Sequence, residues 1–196
     1  MSTRMSEIET QQQRPKRADA LRNREKLVAA ARAAFTQDGT SAPLEDVAAR
    51  AGVGIGTLYR HFPTRQALLE AVYVGEVEEM ARTAEALSGL PPWDALSLWL
   101  HQYVGFAATK RALNEALVET APDSTVLLSC RTALTRAGSA LVERAQAAGV
   151  IRADTSFSDV VRMVAGIAMV PTEDPEQKER LLDLALDGLR YRPHDG

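Results

Sequence analysis

Two glycines in three residues, Gly52-Val53-Gly54, separate a pair of short apolar-patterned segments, and this break constrains the fold more than any other feature. Each glycine costs about 1 kcal/mol relative to alanine inside a helix, so the two segments cannot fuse into one. Before the break, Leu44, Val47 and Ala48 form the inward side of a short helix that ends at Ala51-Gly52. Pro43 suits its first position, and Glu45 and Asp46 suit its first turn, at the positive end of the dipole. After the break a second short helix covers residues 55–62 and is closed by Pro63. Two short helices joined by a glycine-containing turn are the outline of a helix-turn-helix.

The remaining chain reads as helical throughout. It holds 32 alanines against 10 aromatic residues, a balance that favours helix over sheet. Leu27, Ala30, Ala31, Ala34 and Phe35 fall on one helical face within residues 22–37, and Asp38-Gly39 stops that helix. Thr64 is a natural N-cap for a helix reaching about Leu87. Residues 93–108 are apolar almost all round, which requires cover on several sides. A short helix is expected at 109–120 and a long one at 124–148. Ser156 with Asp159 resembles a capping box for the next, and Asp174-Pro175 opens the last. The expectation is an all-α chain of about nine helices, with an N-terminal three-helix head carrying the helix-turn-helix and a larger helical C-terminal body. The head spans about 21–65 and the body 66–196, and residues 1–20 form a flexible basic arm.

On the second short helix, Leu58 and Phe62 are four apart and face inward. The other side carries Ile55, Gly56, Thr57, Tyr59, Arg60 and His61. In a helix-turn-helix that side meets the major groove. Gly56 lets the backbone approach DNA, Arg60 can pair with guanine or phosphate, and the Tyr59 hydroxyl can reach phosphate. For Tyr59 and His61 the competing role is aromatic packing between helices.

The run Ala51-Gly52-Val53-Gly54-Ile55-Gly56-Thr57-Leu58-Tyr59-Arg60-His61-Phe62, set within residues 27–75, resembles the DNA-binding domain of TetR-type transcriptional regulators. That resemblance implies a homodimer bound to a near-palindromic operator, usually a repressor, released by a small-molecule effector in the C-terminal domain. It places operator contacts at Thr57, Tyr59 and His61, and a phosphate contact at Arg65. Gly54 stands where the family often has serine, and Pro43 where a capping hydroxyl is common.

Charge agrees with such a division of labour. Residues 1–75 carry 11 Lys/Arg against 8 Asp/Glu, whereas residues 76–196 carry 12 against 18. A basic head on an acidic body points one end of the molecule toward a polyanion. Arg14, Lys16 and Arg17 sit just before the first helix and either extend the DNA contact or only solubilise a tail.

The body offers weaker signals. Trp99, His101, Tyr103, Phe106, Leu127, Cys130, Leu134, Met163 and Ile167 either line an effector pocket or form plain core. Cys130 lies on an apolar stripe and reads as a small buried hydrophobe. Val160, Val161, Val164, Leu181, Leu182, Ala185 and Leu189 either complete the core or build a dimer interface, and the two half-sites of an operator favour the interface. The three histidines have no metal-ligand spacing, and no cofactor motif, nucleophile elbow or phosphate loop is present, so an enzyme is not expected. No stretch reaches the roughly 18 apolar residues of a membrane span. The N-terminus lacks a secretory h-region, so a cytoplasmic location is expected. The competing function is a helical adaptor that keeps the fold but works through protein contacts.

Overall fold

The computed structural model describes the backbone of residues 3–120 and 124–190. It describes their side chains except at 3–17, 108–110, 112, 114, 119–120 and 175. Among the described residues there are eight α-helices, one 3-10 turn and no strand. They are α1 (Thr3–Asp38), α2 (Leu44–Arg50), α3 (Ile55–His61), α4 (Arg65–Ala86), α5 (Pro92–Thr120), α6 (Thr125–Ala147), α7 (Phe157–Ala168) and α8 (Pro175–Leu189), with the 3-10 turn at Leu87–Gly89. The chain divides into two compact units, Met1–Val72 and Tyr73–Gly196, with the boundary inside α4.

In the first unit, Leu27, Ala30, Ala31, Ala34 and Phe35 of α1 are all buried, as their spacing requires. They meet Leu44, Val47 and Ala48 of α2 and Leu58 of α3 in one small core. Arg50 locks α2 to the end of α1 by donating to Gln37 and Asp38, each at 3.0 Å. Pro43 is the N-cap of α2 rather than its first helical residue, at φ −59° and ψ 133°. The helix α1 also extends back through residues 3–20, where the sequence led us to expect an arm. Glu, Gln, Arg and Ala there are good helix formers, and their polarity sets no limit on helix length. The side chains of Arg14, Lys16 and Arg17 lie outside the described residues.

The turn between α2 and α3 depends on Gly52, whose φ is +68°. Its amide bonds to the carbonyl of Ala49, and that of Val53 to Ala48, closing α2. Any other L-residue is strained in this left-handed conformation. Gly52→Ala is therefore expected to lower the stability of the first unit by about 1–2 kcal/mol, measured by urea denaturation followed by circular dichroism.

In the second unit, α7 packs against α5, with α6 and α8 completing the layer. Residues 92–120 form a single helix where the sequence reading divided them, because no glycine or proline stands at the expected break and alanine, lysine and leucine carry the helix through. Its burial is one broad stripe rather than all round. Leu96, Trp99, Leu100, Tyr103 and Phe106 are buried, while Leu98 is 47% exposed. The expected caps form. Thr64 accepts from Ala67, Ser156 and Asp159 make a reciprocal capping box, and Asp174 accepts from Glu176. Arg144 of α6 donates to the carbonyls of Ser88 and Leu90, fixing the loop that leads into α5. Gly138 of α6 leaves room for the Phe157 ring, which a Cβ at that position would meet at 2.1 Å.

Candidate nucleic-acid interface and effector cleft

The seven residues of α3 are too few to hold a helix by themselves, and Leu58 is what anchors them. It is fully buried, and Phe62 just beyond the helix is 2% exposed beneath the guanidinium of Arg24, 5.4 Å from the ring centre. With that side fixed, the opposite side is open. Ile55, Gly56, Tyr59 and Arg60 are exposed, and Thr57 and His61 are half-buried. Tyr59 is 48% exposed and makes no ring contact among the described residues, so it does not pack between these helices. The His61 ring does lie against Phe62, at 6.4 Å. Arg60 makes no hydrogen bond or ion pair among the described residues, which leaves its planar donor group free for a partner outside the chain.

Gly54 is the N-cap of α3 and supplies no side-chain cap, and nothing lies within 4 Å of where a Cβ would sit on it or on Gly56. Both glycines thus leave the front of the helix bare. Arg65 is differently employed: its Nη1 donates to the carbonyls of Thr40 and Ala42, at 3.1 and 2.6 Å. It therefore ties the start of α4 to the loop before α2. An i, i+1 motif cannot reveal this contact, because its partners lie more than twenty residues upstream.

Residues 27–72 match the family model for bacterial regulatory proteins of the tetR family. Residues 91–191 match the model for the C-terminal domain of SbtR-like transcriptional regulators. The chain belongs to the TetR family of transcriptional regulators. Its solved relatives include the TetR transcriptional regulator SCO0520 from Streptomyces coelicolor, 41% identical over 85% of this chain and 98% of that one, with a TM-score of 0.73. The TetR transcription regulatory protein from Mycobacterium vanbaalenii is 34% identical over 90% of this chain and all of its own, with a TM-score of 0.74. The HTH-type transcriptional regulator SAR0097 of Staphylococcus aureus (strain MRSA252) is 36% identical over 70 residues. The chain spans 37% of that relative's length. These relatives are regulators and not enzymes, and this TetR-family chain acts on transcription through DNA. No described helix is long and apolar enough to cross a membrane.

The regulator's second unit contains a cleft of about 1120 Å³ between α5, α6 and α7, with Tyr73 of α4 at its wall. Tyr103, Leu127 and Leu134 line it. The other pocket candidates lie elsewhere. Trp99 is fully buried in the core, donating from Nε1 to the Met80 carbonyl at 2.9 Å. Phe106 is buried against Tyr103, with ring centres 5.4 Å apart, and Cys130 is buried off the wall. His101 bonds to the Ser97 carbonyl at 2.8 Å and to Asp183 at 3.1 Å, which occupies both ring nitrogens. Met163 and Ile167 project from another side of α7. What the sequence reading missed is the polar part of the wall: Tyr73, Arg111, Arg131, Arg162 and several hydroxyls. Burial pushes the Tyr73 hydroxyl up to about 12, helped by Cys130 and Tyr103 and opposed by Arg131. Burial also raises Tyr103.

The expected dimer residues need a similar correction. Val160, Val164, Leu182 and Leu189 are at most 4% exposed within one chain, so they belong to the core. Val161 lines the cleft, whereas Leu181 and Ala185 are half-buried. Apolar periodicity by itself cannot tell an inward stripe from a neighbouring one on the same short helix.

Proposed function

We propose that this regulator is a homodimeric repressor that binds a near-palindromic operator through α3 and is released by a small molecule held in the cleft of the second unit. The observation that carries the DNA half is the division of α3 into a buried Leu58 side and an open side bearing Ile55, Gly56, Thr57, Tyr59 and Arg60. A donor-rich, closely approachable helix face is what major-groove readout requires. Gly54 and His61 border that face, and Arg65 holds the loop beside it. The adaptor alternative needs a weakened DNA face, and nothing on α3 favours it.

Arg60→Ala is expected to weaken operator binding by about 1–3 kcal/mol if the guanidinium reads a base edge. The check is a titration of purified protein against footprinted operator DNA. Unchanged affinity removes Arg60 from the contacts.

Support for the dimer comes from what α7 and α8 leave uncovered. Leu181, Leu184, Ala185 and Gly188 form an i, i+3, i+4, i+7 stripe, and Leu184 is 70% exposed. Met163, Gly166 and Ile167 continue an apolar surface on α7. A two-fold axis across these faces makes a four-helix contact, and reading a near-palindrome requires the two copies of α3 in such a dimer to stand about one DNA turn apart, roughly 34–36 Å. Leu184→Glu is expected to convert the dimer to monomer at micromolar concentration in sedimentation velocity, and a dimer that persists excludes this face. An effector then acts by preferring a different spacing, drawing the population from the DNA-competent form by its differential affinity.

A further inference from the structure

Among the described residues the cleft's wall carries charge of one sign. Three arginines, Arg111, Arg131 and Arg162, line it from three different helices, and its described lining includes no aspartate, glutamate or lysine. This is unexpected in a stretch whose balance is 12 basic against 18 acidic residues. Arg111 already donates to Glu115 at 2.7 Å. Arg131 and Arg162 make no hydrogen bond or ion pair among the described residues. Asp159, one turn before Arg162, is taken up by the cap of α7, where it accepts from both the amide and the hydroxyl of Ser156. The same wall includes Tyr73, within the field of Arg131, and Tyr103, whose hydroxyls burial keeps protonated at neutral pH, so that they can donate. The rest of the wall mixes apolar groups, notably Leu127, Leu134, Val161 and Phe157, with serine and threonine hydroxyls, and the mouth is edged by the exposed Val118 and Leu128.

We infer that the cleft takes an amphipathic anion, a molecule with a large apolar body and a carboxylate head set between Arg131 and Arg162. The inference rests on the effector reading above and names its ligand class. A guanidinium binds a carboxylate through two parallel hydrogen bonds, and the tyrosine donors add to an acceptor-rich head. A cationic head meets only like charge. A neutral body gains the apolar contacts and nothing from the arginines. Because both arginines are solvent-exposed, screening keeps their joint effect modest.

The test is calorimetric titration of the full chain with decanoate, decanol and decylammonium. Three proteins are compared: the unmodified chain, Arg131→Gln/Arg162→Gln, and the charge-conserving Arg131→Lys/Arg162→Lys, each checked for fold by thermal melting. Decanoate is expected to bind the unmodified chain about tenfold tighter than decanol, with decylammonium weakest. The glutamine pair should bring decanoate down to the level of decanol, and the lysine pair should restore part of the preference. Equal binding of acid and alcohol, or a preference that survives the glutamine pair, overturns the anionic assignment and leaves the effector cleft standing. Failure of all three probes to bind overturns the effector reading and this inference together.

Discussion

Trp99→Ala is expected to destabilise the second unit by about 3–5 kcal/mol, the cost of emptying a large aromatic site. Trp99 has no exposed surface, stacks on Tyr103 with ring centres 5.4 Å apart, and lies 6.0 Å from the tilted ring of Phe157. Its indole nitrogen also reaches the Met80 carbonyl. Tyr103 and Phe157 both line the cleft, so the same indole that fills the core backs two of the cleft's walls. Urea denaturation followed by circular dichroism measures the loss. A domain typically has only about 5–15 kcal/mol to spare, so the variant is expected to be partly unfolded at growth temperature. Trp99→Phe keeps most of the ring and loses only the hydrogen bond, for an expected cost of about 1–2 kcal/mol. If alanine costs less than phenylalanine, the indole is not the keystone of this unit.

Leu58→Ala is expected to cost about 2–5 kcal/mol in the first unit and to abolish measurable operator binding. Leu58 is the one buried side chain of α3, and a helix of seven residues keeps its shape only through such packing. Its loss frees the helix to fray or rotate, so that Tyr59 and Arg60 no longer share a defined direction. The contrast with Arg60→Ala is the informative part. Arg60 is exposed and unpaired among the described residues, so its loss should weaken DNA binding without moving the urea midpoint. Leu58→Ala should move both. Measuring stability and affinity on the two variants separates a residue that touches DNA from one that aims the helix.

The head of this regulator was legible residue by residue because its determinants are local. A glycine break, a proline stop, the cap at Thr64 and an i, i+4 pair at Leu58 and Phe62 all act within a few residues, as do the caps at Ser156 and Asp174 in the second unit. The α1 stripe from Leu27 to Phe35 was equally plain, since one helix buries one face. The cleft was not legible in this way. Tyr73, Arg111, Arg131 and Arg162 are scattered over about ninety residues, and nothing in their own neighbourhoods marks them. Aromatic residues at helical spacing are the more visible signal, but Trp99 and Phe106 are core. His101 was spent on a helix carbonyl and on Asp183, a partner 82 positions away.

What the sequence by itself determined is therefore the helical class, most helix limits, the helix-turn-helix and its outward face. Local propensity, capping and periodicity decide those, and each works over a turn or two of chain. Only the tertiary structure decided which of the three sides of α7 meets the core, the cleft or solvent. Val160 and Val164 turn inward, Val161 and Arg162 face the cleft, and Met163 and Ile167 stay half-exposed on the remaining side. These sides differ by one residue of rotation, about 100° around the axis. That rotation is set by how α5, α6 and α8 pack around the helix, through contacts that span the whole unit.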